Sequence, residues 1–226
     1  MIVASPTLRY SLSVMEPITI SPIESVPSKK WLWWSLATAL LAVAIAVGIW
    51  LVQTAKPGIP AGLVDRRADA TRIIAEGNAI ADTDLRPLSG FELSKDYAGA
   101  IGLLGEALRV NAEQAVKNAE LVRVSNELKG LSAEVKPAAV GDKAKTAFGL
   151  LDELARSQEA YLAARKQLFE AAQAYYADLA AKKQAPLPEE LNALAAAVTA
   201  DLQKTIDLTK RFQKAIQEFD ATLAAK

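Results

Sequence analysis

The hydrophobic pattern divides the chain into four parts. Residues 31–52, WLWWSLATALLAVAIAVGIWLV, run for 22 positions without a charged side chain. A run of that length crosses a bilayer as one helix, and lipid, which offers the backbone no hydrogen bonds, tolerates it only in helical form. Residues 1–30 show little apolar periodicity and are rich in Ser, Thr and Pro, with Pro17, Pro22 and Pro27 evenly spaced. They read as a disordered tail. Residues 53–62 contain Pro57, Gly58, Pro60 and Gly62, which end a membrane helix and make a hinge. From 63 to 226 apolar residues return at three-four spacing, which predicts an α-helical bundle domain.

Four helices are expected in that domain. The first covers Leu63 to Asp82, with Ala70, Ile73, Ile74, Gly77 and Ile80 on one face. The second starts at Ser94, whose hydroxyl caps it, and continues to Val135. Its early stripe (Tyr97, Ile101, Leu104, Leu108) and late stripe (Leu121, Val124, Leu128) are joined by small and polar residues around Asn118, so the buried face shifts midway. Gly99, Gly102 and Gly105 recur every third residue, each weakening the helix by up to about 1 kcal/mol. A neighbouring helix passing very close would explain that cost. The third helix is capped by Asp142 and continues to Lys183. The fourth begins at Pro188, with Glu189 and Glu190 placed for its dipole. Its seam, Leu191, Ala195, Val198, Leu202, Thr205, Thr209, Phe212, Ile216, Phe219 and Leu223, has coiled-coil spacing. Helices of about 40 residues are about 60 Å long, and short proline-bearing connections make neighbours antiparallel. The predicted fold is all-α: one transmembrane helix followed by an elongated antiparallel three- to four-helix bundle.

The stretch from Tyr97 to Asn111 resembles the second helix of a tetratricopeptide repeat in its small-Ile and Ala-Leu spacing. The preceding segment lacks that family's Trp, Leu-Gly and Tyr pattern, and no second copy follows at the repeat's period, so no array is implied.

The ends of the apolar run fit a bilayer. Trp31, Trp33 and Trp34 stand at one end and Trp50 at the other, where indoles favour headgroups, and Lys29 and Lys30 abut the first end. With Arg9 and the amino terminus on the same side, these lysines place the tail in the cytoplasm and the bundle outside it, in a single-pass cell-membrane protein. The run is longer than a cleaved signal needs, so it reads as an uncleaved anchor. Ala44 and Gly48 put small residues on one face, the spacing through which a membrane homodimer would pack, the bundle being the other surface through which a homodimer would form.

Composition narrows the chemistry. The chain has no cysteine, hence no disulfide, thiolate metal site or cysteine nucleophile. It has no histidine, which removes the commonest general base and transition-metal ligand. Twenty-six basic residues balance 26 acidic ones, so no nucleic-acid partner is implied. The acid pairs Asp82 with Asp84, Asp152 with Glu153, Glu189 with Glu190, and Glu218 with Asp220 read as solvated or capping residues. Tyr161, Phe169, Tyr175, Tyr176, Phe212 and Phe219 fit plain core better than an apolar ligand pocket. Lys204, Lys210, Arg211 and Lys214, with Arg165 and Lys166, are interspersed with acids and read as mixed surface. No nucleophile, acid-base pair or phosphate loop assembles, so neither catalysis nor a cofactor is expected. The expected partners are the bilayer and another protein, and the expected role is a spacer or interaction module. The other reading is a ligand-sensing bundle that signals through a separate subunit.

Overall fold

The structure, a computed structural model, describes residues 58–183, 185 and 188–225. The tail and the apolar run, with Lys29, Lys30, Trp31, Trp33, Trp34, Ala44, Gly48 and Trp50, lie outside the described residues. Among the described residues no helix is long and apolar enough to cross a membrane. Those residues form α1 (Ala61–Ala79), α2 (Leu88–Ser94), α3 (Tyr97–Leu131), a 3-10 turn (Ser132–Glu134), α4 (Ala138–Ala180) and α5 (Pro188–Ala224), with no strand among them.

Several boundaries differ from the periodicity. Helix α1 stops at Ala79 because Ile80 turns extended, with φ −76 and ψ 102. Ser94 does not cap the long helix; it closes the separate helix α2 and donates its hydroxyl to Gly90 O at 2.8 Å. Lys95 then takes a left-handed φ of 58, and Asp96 Oδ1 caps α3 by accepting from Gly99 N at 3.0 Å. A carboxylate suits that position doubly, satisfying a first-turn amide and facing the positive end of the helix dipole. Helix α4 begins at Ala138, so Asp142 lies inside it rather than at its cap, and Pro137 precedes it with φ −72. The tetratricopeptide-like stretch Tyr97 to Asn111 is the start of one unbroken 35-residue helix, not a member of a short helix pair.

Helix α4 packs on α3 along one side and on α5 along another, while α1 and α2 pack on α3. Partner numbers fall along one helix as they rise along the other. Asn111 Nδ2 donates to Leu162 O at 3.0 Å and Asn118 Nδ2 to Ala155 O at 2.9 Å. Between α4 and α5, Ser157 meets Thr205 at 3.1 Å and Lys143 pairs with Glu218. Neighbouring long helices therefore run antiparallel. Between α1 and α3, Arg66 Nε reaches Glu127 at 2.6 Å and Lys117 reaches Glu76 at 2.9 Å.

The buried apolar residues separate into two clusters. One, at the end where α1 starts, includes Leu63, Ile73, Leu128, Phe148, Phe212 and Phe219. The other is built on Ala100, Leu104, Ala107, Phe169 and Tyr176, with Phe91 and Tyr97 packed against it. Between them lie the buried polar residues Asn111, Asn118, Ser157, Arg165 and Thr205. The shift of the α3 stripe around Asn118 is this polar waist, where the two asparagines bond helix α4 carbonyls instead of filling apolar space.

The chain enters the bundle at the first cluster, which we term the base. Gly58 O accepts from Lys136 N at 2.9 Å, and a Cβ on Gly58 would stand 2.6 Å from Lys136 O. Its φ of +93 is equally reserved for glycine. Across the base, Arg67 binds Asp220 through both terminal guanidinium nitrogens at 2.6 and 2.7 Å, joining α1 to the end of α5.

Asp152, expected on a solvated surface, is only 4% exposed. Lys129 Nζ reaches its Oδ2 at 3.1 Å and Arg156 Nε its Oδ1 at 3.2 Å. Burial pushes this carboxyl up, but the hydrogen bonds from Lys129 and Arg156 outweigh it and hold the group below its ordinary value. A lowered folded-state value contributes stability above the unfolded carboxylate range that is lost as pH falls through the folded one. Urea midpoints measured down an acid series should therefore fall more steeply for the native chain than for Asp152→Asn; parallel curves would contradict the ion-paired carboxylate.

Candidate functional site

The end farthest from Gly58 carries an irregular cap. Residues 80–96 leave α1, form α2 and return to α3, and their Leu85, Leu88 and Phe91 pack against the distal cluster. Phe91 lies so close to the start of α3 that a Cβ on Gly99 would meet its Cε1 at 2.8 Å and Asp96 Oδ2 at 2.6 Å. Glycine at 99 thus answers to a side chain of α2 rather than to a long neighbouring helix. A Cβ on Gly102 would have nothing within 4 Å, and one on Gly105 only Gln173 Nε2 at 3.6 Å, so close packing does not explain those two.

Three tyrosines gather under the strap. Tyr97 stacks on Tyr176 with centroids 6.4 Å apart, and Tyr175 meets Tyr176 edge-on at 5.3 Å. Burial, reinforced by the Glu92 carboxylate and by Tyr175, pushes the Tyr176 phenol up to about 12. Burial and Glu92 raise Tyr175 as well. The Glu92 carboxylate thus acts on both phenols. Its neighbour Leu93 projects into solvent, 88% exposed.

An ion cluster pins the strap to the bundle. Asp82 Oδ1 accepts from Arg165 Nη2 at 2.9 Å and from Gln114 Nε2 at 2.9 Å. Arg165 also donates to Gln114 Oε1 at 3.2 Å, and its guanidinium lies 5.2 Å from the Phe169 centroid and 5.7 Å from that of Tyr161. Arg165, expected on a mixed surface, is 8% exposed. Burial works against its charge, yet Tyr161 and Asp82 outweigh it and the guanidinium is held more firmly protonated than usual.

The remaining candidate residues are dispersed. The acid pairs are dispersed: Asp84 binds Arg86 at 2.7 Å, Glu218 binds Lys143, Asp220 binds Arg67, and Glu189 and Glu190 stand in the first turn of α5. Among the described residues no group of three or more acidic side chains is placed to hold a metal ion. The six aromatics line no common cavity: Phe169, Tyr175 and Tyr176 belong to the distal cluster, Phe212 and Phe219 to the base, and Tyr161 to the Arg165 cluster. Lys204, Lys210, Arg211 and Lys214 are exposed along α5. Periodicity missed Glu92 and Leu93 because Pro87 and Gly90 disguise a helix of only seven residues; the three-residue step from Leu88 to Phe91 is the signal that could have revealed it. Comparison with protein-family models, with curated proteins and with solved structures returned no match.

Proposed function

We propose that this chain is a non-enzymatic, single-pass membrane protein whose helical bundle stands outside the cytoplasm and offers its distal cap to a protein partner. The anchor rests on the uncharged run 31–52 and its flanking tryptophans and lysines. The observation that carries the interaction role is the separation of the two ends. The tether arrives at Gly58, on the turn that follows α3, while Leu93 and the tyrosines lie at the start of that 35-residue helix, about 50 Å away. Such an arrangement lifts an apolar, aromatic tip clear of the bilayer.

Because the chain has no cysteine, Leu93→Cys and Val116→Cys each carry a single thiol for a photo-crosslinker. Val116, 61% exposed on the flank of α3, is the control. In native membranes a discrete protein adduct should form from position 93 and not from position 116. Equal labelling at both positions would contradict a cap-directed partner, and loss of the protein from membranes at alkaline pH would contradict the anchor.

A further inference from the structure

The strap over the distal cluster covers buried side chains without being buried itself. No residue of α2 is buried, and Leu85, Leu88 and Phe91, which lie on the cluster, are only half-buried. In that cluster Ala107 has no exposed surface, and Leu104, Phe169 and Tyr176 have almost none. The strap also holds to itself more than to the bundle. Leu88 N donates to Leu85 O and Phe91 N to Pro87 O, both at 3.1 Å, and Asp96 N donates to Phe91 O at 2.8 Å. The side-chain bonds of Arg86, Ser89 and Ser94 close within the strap as well. Among the described residues, Asp82 alone carries hydrogen bonds from residues 81–95 to the long helices, through Gln114 and Arg165.

Two features weigh against the closed position. Lys95 holds a left-handed φ of 58, which a side chain other than glycine adopts at a cost. Thr83 Oγ1 is enclosed without a hydrogen-bond partner among the described residues. Segments with few buried apolar contacts are the ones that open by local rather than global unfolding. We propose that residues 81–95 form a lid that leaves the bundle as one unit, turning about Ile80 and Lys95. Asp82 on Arg165 and Gln114 latches one end, and Phe91 against Gly99 latches the other. Opening uncovers the apolar face of Leu104, Ala107, Phe169 and Tyr176 between α3 and α4 and returns Arg165 to water. The base stays folded, because the cluster around Phe148 and Phe219 is separate from the one the lid covers. This device goes beyond the partner reading and depends on neither the anchor nor a protein at Leu93.

Hydrogen exchange resolved to single amides, on the full chain in lipid nanodiscs, tests the lid. The Leu88, Phe91 and Asp96 amides should exchange about 100-fold faster than those of Val124 and Leu151 in the base, at rates that low urea leaves unchanged. Asp82→Asn should raise all three by one common factor of several-fold, Asp96 at the far end as much as Leu88, with Val124 and Leu151 unaffected. A rise confined to the residues beside position 82 is fraying, a rise shared with the base is global unfolding, and no rise removes the latch; each of these overturns the proposal. A thiol trap gives a readout that does not need Asp82→Asn to fold. The chain has no cysteine, so Ala107→Cys in the distal cluster and Ala155→Cys in the base, both at positions without exposed surface, each carry a lone thiol. A maleimide should label position 107 several-fold faster than position 155, and equal rates overturn the lid.

Discussion

Phe219→Ala should cost the domain about 3–5 kcal/mol, the range for removing a fully enclosed aromatic side chain. Phe219 has no exposed surface, meets Phe148 edge-on with centroids 5.7 Å apart, and lies under the Arg67 guanidinium at 5.9 Å. Truncation removes the apolar surface, the ring-ring contact and the cation-π contact together, beside the Arg67–Asp220 salt bridge that joins α1 to α5. In a domain of this size the melting temperature should drop on the order of 10 °C. Circular dichroism melts of Phe219→Ala beside Lys214→Ala, an exposed change expected to stay within about 0.5 kcal/mol, would show it. Equal melting temperatures would mean that the base is not closed around Phe219.

The second large effect belongs to Asp220→Ala. This substitution strands Arg67, whose side chain is 3% exposed and whose Nε already has no partner. Removing one member of a buried pair costs about 3–5 kcal/mol, because the surviving charge has neither water nor counter-ion. Replacing both members with apolar residues, Arg67→Met with Asp220→Leu, should recover much of that loss, since two desolvation penalties disappear at once. Denaturant unfolding of the two single variants and the double one closes the cycle. A double variant as unstable as the sum of the singles would show that the pair is independent and that burial does not govern it.

Much of the bundle was legible from local spacing. Phe212, Ile216, Phe219 and Leu223, the lower part of the α5 seam, are all buried. Higher on the same seam Ala195, Val198 and Leu202 are only half-buried, although their spacing is as regular. The reason is a neighbour that periodicity does not count. Helix α1 ends at Ala79 and covers α5 only near the base, so the upper turns of α5 have fewer helices around them. The i,i+4 pairs such as Arg72 with Glu76 follow from sequence distance alone. The buried ions do not. Arg67 finds Asp220 across 153 residues and Arg165 finds Asp82 across 83, so only the assembled fold tells these charges from solvated ones. The cap was hidden for the opposite reason. Its residues are close in sequence, but Pro87 and Gly90 carry turn signals that outvote a helix of seven residues, and Phe91 is fixed by its contact with Gly99.

The polar waist has a bearing on how such a protein changes over generations. Asn111 and Asn118 donate to helix α4 carbonyls, and Ser157 meets Thr205, so no apolar side chain is shared between the cluster below and the cluster above. Substitutions at Phe91, Tyr97 or Tyr176 repack against their own cluster and leave the one around Phe148 and Phe219 as it was. Side-chain changes at the tip are therefore expected to leave the packing of the foot intact, so that the two ends can vary independently.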